Sequence, residues 1–421
     1  MDDTCRQLGV KAPREAGRPT TVGNMSTPAP ARPAGTVVPV TLGGAGPVVG
    51  TATALAVDQL RSGQAPTVDE ALDLAVELGR HGALPGLGST ADLWQALATL
   101  AAHDLGAARA VEPHLDALAI LDQHAEDVAA TSPETLPDED DGAGSALPAR
   151  ARTDDSFTWG VFAAEGPGVR LEGARRPGAP AASGAWSLTG TKPWCSLAGT
   201  VDGALVTAWV GDERRLFSVD LRQQGVTVTA DAWHARGLVE IPSGPVDFDD
   251  VEAHEVGAPG WYLERPGFSW GGIGVAACWY GGAVGVARTL LAAAVTASSR
   301  APERPADPHL LQALGLVDTR LADARRALVE AADLVDAGEA TGEAGRLLAK
   351  RVRGTVAHAC DEVLARASRA LGPAPLATDA DHAKRVADLE LYLRQHHGER
   401  DDASLGQTVL RDAVRDGLPT W

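Results

Sequence analysis

The hydrophobic period of the chain changes twice, and this order restricts the possible folds more than any other feature of the sequence. From residue 52 to about residue 128, apolar side chains recur at helical spacing. From Phe157 the period becomes two, in short runs such as 186–190, 217–221 and 226–229, and after Trp261 the helical period returns. The order predicts an α+β chain with an N-terminal helical domain, a central antiparallel β-barrel or sandwich, and a C-terminal four-helix bundle.

Composition shifts place the boundaries between these regions. Residues 1–45 are rich in Pro, Gly, Thr and Arg without periodicity, which is typical of a flexible tail. The helical domain is predicted over 46–150, the β domain over 151–260 and the helical bundle over 261–421. An acidic, Pro-containing segment at 132–144 is predicted to be a solvated loop between the first two domains.

Charge and cysteine usage exclude several functional classes. With 37 Lys and Arg against 56 Asp and Glu, the formal charge is −19, which argues against a nucleic-acid partner. The four cysteines are scattered without metal-ligand spacing, which indicates reduced thiols in a cytoplasmic protein and no metal site. The uncharged stretch 271–287 is short and Gly-rich, so it is predicted to be a buried helix, with no membrane association.

Three motifs occur in order along the chain. Residues 190–196 read G-T-K-P-W-C-S after a predicted strand, residues 248–251 read F-D-D-V, and residues 281–288 form a Gly- and Ala-rich helical segment. The first resembles a G-x-K-x-W-I-T segment, the second the end of a β domain, and the third a first bundle helix. Over about residues 50–410, the chain thus resembles the acyl-CoA dehydrogenase superfamily of flavoproteins.

The resemblance implies a flavin site, with FAD as the expected cofactor and FMN as the alternative. Trp194 would pack on the flavin ring and Ser196 would offer its hydroxyl and N–H near the flavin N5. The segment from Phe162 resembles the family's A-x-T-E-P motif, with Ala164 in place of the threonine. At the end of a bundle helix, Arg369 and Gly372 match a loop that receives the adenine-diphosphate part across a subunit interface, although Arg369 replaces the usual glutamine.

The catalytic carboxylate of acyl-CoA dehydrogenases has no direct match. The family places it in a Y-E-G segment, and alignment on Gly398 puts His397 at the position of the glutamate. Either His397 or its neighbour His396 would act as the base, or Glu399 would be moved into place by a short alignment slip. The third alternative is that the protein does not carry out this dehydrogenation.

The leading hypothesis is therefore an FAD-dependent α,β-dehydrogenation of an acyl thioester such as an acyl-CoA, with electrons passed to an electron-transfer flavoprotein. Family resemblance also implies a homodimer or homotetramer. Two alternatives remain open. One is a two-component flavin monooxygenase on the same fold, which would use His396 or His397 beside the flavin. The other is a non-catalytic subunit that completes the site of a partner.

Overall fold

A computed structural model describes residues 37–43, 49–131, 146–177, 185–300, 302–303 and 305–417. The predicted flexible tail, apart from residues 37–43, and the predicted acidic loop at 132–144 lie outside the described residues. Within the described residues, helices come first, strands follow and helices return, which is the order that the hydrophobic period predicts.

Four helices lie in the part of the N-terminal region that the structure describes: α1 (Thr51–Gln59), α2 (Val68–Arg80), α3 (Thr90–His103) and α4 (Leu105–Thr131). Helix α2 begins with a capping box, in which Thr67 accepts from the Glu70 N–H and the Glu70 carboxylate accepts from the Thr67 N–H. Helix α4 contains Pro113 in its interior. Because proline has no N–H, the carbonyl four residues earlier, that of Arg109, has no α-helical donor at this turn.

The described residues of the central region form seven strands: β1 (Trp159–Phe162), β2 (Leu171–Arg175), β3 (Ala185–Lys192), β4 (Gly203–Val210), β5 (Glu213–Asp220), β6 (Val226–Val228) and β7 (Val246–Val256). Their pairings run β4-β2-β3-β7-β5 and return to β4, which closes a barrel. The prediction of a purely antiparallel sheet is wrong, because β1 and β2 both pair with β4 in parallel. Alternation of apolar and polar residues has the same period in both orientations and does not reveal strand direction.

From residue 261 to residue 417, the described residues form seven α-helices: α5 (Trp261–Glu264), α6 (Pro266–Arg300), α7 (Pro308–Asp336), α8 (Gly342–Leu371), α9 (Ala374–Thr378), α10 (Ala380–Tyr392) and α11 (Glu399–Asp416). Helices α6, α7 and α8 pack on one another, α10 packs on α6, and α11 packs on α8.

Helix α6 joins the two helical regions, since it also packs on α3 and α4. At Gly281 an added Cβ would lie 2.2 Å from the Ala98 carbonyl oxygen, so glycine is required for this close approach. By length and composition α6 could cross a membrane, but 67% of its most apolar window is buried inside the protein. The prediction of a buried helix over 271–287 is confirmed.

Candidate active site

A cavity of about 520 Å³ lies between α4, α6, α8 and the segment that connects α10 to α11. Its apolar wall includes Phe268, Val275 and Ala349, whereas its other walls carry ionisable and polar groups. The lining residues that bear titratable side chains are Glu112, Asp116, Tyr262, Arg265, Arg346, Lys350, Arg353, His396, His397 and Asp401. The cavity thus has room for a small organic molecule and groups that can exchange or hold protons.

Two of the three predicted catalytic residues line this cavity. After α10 the chain makes a short 3-10 turn, and Gly398 at φ +56° then starts α11, so that His396 and His397 lie between two helices. The His396 ring is 6% exposed, and its Nδ1 accepts from the Gly398 N–H at 3.2 Å. This bond leaves the proton of the neutral ring on Nε2, which lies 3.9 Å from an Asp401 carboxylate oxygen. Burial lowers the pKa of His396, which favours the neutral form.

His397 is more open to solvent than His396. Its ring is 59% exposed, its backbone N–H donates to Asp401 at 3.1 Å, and its Nδ1 lies 3.4 Å from the same carboxylate. Glu399 is exposed in the first turn of α11 and does not line the cavity. The alignment slip that would make Glu399 the base therefore does not bring its carboxylate into this cavity.

The carboxylates that do reach the cavity come from α4 and were missed by the sequence analysis. Glu112 and Asp116 lie one turn apart on α4, and both are opposed by arginines: Arg109 is 3.5 Å from Glu112, and Arg265 is 3.5 Å from Asp116. Burial raises the pKa of Glu112 to about 7 although Arg109 acts in the opposite direction. Burial also raises the pKa of Asp116. The sequence signal that could have revealed these two carboxylates is the position of two acids on a helix face that otherwise carries core residues.

A glycine on α6 makes room for one of these acids. A Cβ added at Gly271 would lie 2.6 Å from the Asp116 Oδ1. Helix α6 has no Asp or Glu in its sequence, and the carboxylate of Asp116 packs against it from α4.

The predicted flavin segment is held in an uncommon backbone conformation. Trp194 has φ +61° and its side chain is 60% exposed, an arrangement that leaves a large aromatic face open to solvent. The Ser196 hydroxyl lies 2.7 Å from that of Ser243 and accepts from Arg109 at 3.0 Å. No acceptor faces the Ser196 N–H within the described ranges. Through Arg109, Ser196 is connected to Glu112 and hence to the cavity.

An ion pair joins the motif at 190–196 to the segment that begins at Phe162. Lys192, which is 1% exposed, donates to Glu165 at 2.8 Å and to Thr207 at 2.9 Å. The pair holds the segment after β1 against the end of β3. In that segment Ala164 is exposed, whereas the Phe162 side chain is buried in the core and does not reach the cavity.

The structure does not bring Arg369 and Gly372 to the cavity. They lie at the C-terminal end of α8, where Gly372 at φ +69° ends the helix and Arg369 is exposed. Sixteen residues separate Arg369 from Arg353, which at about 1.5 Å per residue is roughly 24 Å along the helix. Any contact of these two residues with a ligand near Trp194 therefore stays a prediction. The part of the chain that the structure describes contains no group of three side chains arranged to hold a metal ion.

Comparison with solved structures identifies the fold. A structure of KijD3 with FMN and dTDP-3-amino-2,3,6-trideoxy-4-keto-3-methyl-D-glucose is 19% identical, with 89% of this chain and 96% of that chain covered and a TM-score of 0.63. TdsC from Paenibacillus sp. A11-2 with FMN and indole is 18% identical, with 88% and 97% covered and a TM-score of 0.65. A glutaryl-CoA dehydrogenase from Mycobacterium smegmatis with FADH2 is 17% identical, with 88% and 95% covered and a TM-score of 0.63.

The chain has the acyl-CoA dehydrogenase fold. No protein-family model matches the sequence, and no curated protein matches it either. At these identities the similarity extends to the fold and not to a particular reaction. The acyl-CoA dehydrogenase fold here carries histidines in the segment before its last helix, and a buried and a half-buried carboxylate on α4, Glu112 and Asp116.

Proposed function

We propose that the protein is a flavin-dependent oxidoreductase whose flavin ring packs on Trp194. The support is geometric. An exposed indole on a left-handed backbone offers a stacking face, and the Ser196 N–H offers a hydrogen-bond donor beside it. A flavin bound there would supply two-electron chemistry. FMN and FADH2 are bound in the solved structures with this fold, and FAD remains our expected cofactor, with FMN as the alternative.

We propose that the reaction is an oxygenation of a small molecule held in the cavity, as in a two-component flavin monooxygenase. The single observation that carries this choice is His396. His396 is buried in the cavity wall, one residue before the position that aligns with the catalytic glutamate of dehydrogenases, and burial lowers its pKa, which favours the neutral ring with its proton on Nε2. A neutral donor can hydrogen-bond an oxygen atom that gains negative charge. TdsC, which has the same fold, is a dibenzothiophene monooxygenase.

The second candidate is the α,β-dehydrogenation of an acyl thioester, and Glu112 is the observation that favours it. A carboxyl group whose pKa is about 7 can accept a proton near neutral pH. In this candidate Glu112 removes the α-proton, and electrons pass to an electron-transfer flavoprotein. His396, His397 and Glu399 would then have no role as base, although His396 would still shape the cavity.

The first experiment separates the flavin site from the reaction. The purified protein is titrated with FAD and with FMN, each oxidised and reduced, while flavin fluorescence and absorption are followed. Trp194→Ala should weaken flavin binding about tenfold or more, because a stacked aromatic contact contributes ~1–2 kcal/mol. Trp194→Phe keeps an aromatic face and should retain most of the affinity. If both variants bind flavin as tightly as the wild-type protein does, the indole does not hold the flavin.

The second experiment distinguishes the two reactions. Anaerobic mixing with acyl-CoA thioesters should bleach bound flavin if the protein is a dehydrogenase, and Glu112→Gln should abolish the bleaching. A monooxygenase should instead leave oxidised flavin unchanged, and should consume oxygen only with reduced flavin from a separate reductase. His396→Asn should then uncouple oxygen consumption from product formation. Bleaching that survives in His396→Asn but not in Glu112→Gln would refute the oxygenation proposal.

We further propose a cytoplasmic homodimer or homotetramer. Cys195, Cys278 and Cys360 are buried free thiols, and burial raises the pKa of each, which suits a reducing compartment. Sedimentation velocity checks the oligomeric state. The hypothesis of a non-catalytic subunit is less favoured, because His396 and Glu112 place proton-transfer groups inside the chain's own cavity.

A further inference from the structure

One wall of the cavity carries three cationic side chains from a single helix. Arg346, Lys350 and Arg353 are spaced i, i+4 and i+7 along α8, so they share a face of that helix, and all three line the cavity. Arg353 also lies over the Trp279 ring, with its guanidinium carbon 4.7 Å from the ring centroid, which fixes its position. We call these three residues the α8 cationic face.

The charges of the other cavity residues are largely compensated without the α8 cationic face. Glu112 and Asp116 each have an arginine of their own, Arg109 and Arg265. The remaining acid, Asp401, accepts from the His397 N–H and lies 3.4 Å from the His397 ring.

The hydrogen-bond acceptors that contact the α8 cationic face are neutral groups. The Lys350 Nζ donates to the Ser404 carbonyl and the Thr408 hydroxyl, and Arg353 donates to the carbonyls of Gly272 and Gln395. Among the described residues, none of the three cations lies within ion-pair distance of a carboxylate. Asp401 and Glu112 act on Arg353 only from beyond ion-pair distance. In a chain with a net charge of −19, the α8 cationic face is therefore a local concentration of positive charge in a concave site.

We propose that the substrate carries an anionic group, a carboxylate or a phosphate, which binds the α8 cationic face. Arg346 is exposed and Lys350 is half-buried, so an anion that enters the cavity meets these side chains. Guanidinium and ammonium groups in a partly desolvated wall form charge-assisted hydrogen bonds with both kinds of oxyanion. The apolar wall of Phe268 and Val275 receives the adjoining apolar part of the same molecule.

This inference rests on the proposed function, since it names the substrate class of the same cavity. It has a different observable, however, because anion binding to the α8 cationic face does not require a flavin. The chemistry also makes the site selective: an analogue without the charged group would leave the cations uncompensated in the complex and would bind less tightly.

The test is calorimetric titration of the full chain with three probes that share an aromatic ring: benzoate, phenyl phosphate and benzyl alcohol. We expect at least one anionic probe to bind about tenfold or more tightly than benzyl alcohol, as one charge-assisted contact would give. The double variant R346Q/K350Q should lose this preference, whereas R346K should keep it. Arg351→Gln is the matched control, because Arg351 is an exposed cation of the same helix that does not line the cavity.

The outcomes are distinct. A preference for benzoate identifies a carboxylate substrate, and a preference for phenyl phosphate identifies a phosphorylated one. The proposal is overturned if the wild-type protein does not prefer either anion to benzyl alcohol, or if R346Q/K350Q and R351Q weaken binding equally. Circular dichroism melting verifies that the double variant is folded. If anion selection is present but no flavin binds in the titration with FAD and FMN, the oxidoreductase proposal fails while the anion site stands.

Discussion

The buried carboxyl of Glu112 should make the stability of the protein depend on pH in a predictable direction. Its pKa is raised by burial from its usual value near 4.5 to about 7. Between these two pH values the unfolded chain releases the proton and the folded chain keeps it. The contribution of Glu112 to the free energy of unfolding is therefore fully present below about pH 4.5, and it is lost as the pH rises towards 7.

The change from 4.5 to about 7 corresponds to about 3 kcal/mol, at ~1.4 kcal/mol for each pH unit. Glu112→Gln replaces the carboxyl by a neutral group of nearly the same shape. Near pH 4.5 the variant and the wild-type protein should therefore have similar free energies of unfolding. At about pH 8 the variant should be more stable by up to about 3 kcal/mol, because it has no charge to bury.

The assay is equilibrium unfolding in urea, followed by circular dichroism at several pH values across this range. Each variant is compared with the wild-type protein at the same pH, so that other titrating groups cancel. Glu126→Gln serves as control, since Glu126 is an exposed glutamate of α4 and is solvated before and after unfolding. A stability difference for Glu112→Gln that does not grow with pH, or that grows equally for Glu126→Gln, would refute the reasoning.

Three further predictions follow from the packing. Gly281→Ala should destabilise the protein by roughly 2 kcal/mol or more, because its Cβ would lie 2.2 Å from the Ala98 oxygen. Gly315→Ala on α7 places its Cβ in open space and should stabilise the protein by about 0.5–1 kcal/mol. Urea unfolding measures both changes. Asp92→Ala should cost about 1–3 kcal/mol in the same assay, since its carboxylate accepts from the N–H groups of Ala52 and Thr53 at the start of α1. Trp194→Ala should leave the melting temperature of the flavin-free protein nearly unchanged, because the indole is mostly exposed.

The departures from the dehydrogenase pattern form a consistent set. Histidines occupy the segment before the last helix, glycine occupies the α6 position beside Asp116, and the carboxylates come from α4. An apolar acyl chain would have to lie beside Glu112, Asp116 and their arginines, and covering these polar groups with an apolar chain costs free energy of desolvation. These walls are consistent with the proposed substrate, a small molecule with an anionic group.

The sequence alone determined the order of the three regions and the position of the buried helix α6. Both depend on hydrophobic period and on local composition, which act over a few turns and can be read directly along the chain. The motifs at 190–196 and 248–251 also located the strands of the β domain, and the double histidine located part of the cavity wall.

Only the tertiary structure decided the direction of the strands and the composition of the cavity. Strand β4 lies parallel to β1 because the residues between them form a hairpin elsewhere in the barrel, an arrangement that alternation does not encode. Glu112 on α4, Arg353 on α8 and His396 after α10 line one cavity, although Glu112 and His396 are 284 positions apart in the sequence. Their charges and their pKa shifts depend on desolvation by neighbours that are distant in sequence, and for this reason the site could not be assembled from local patterns.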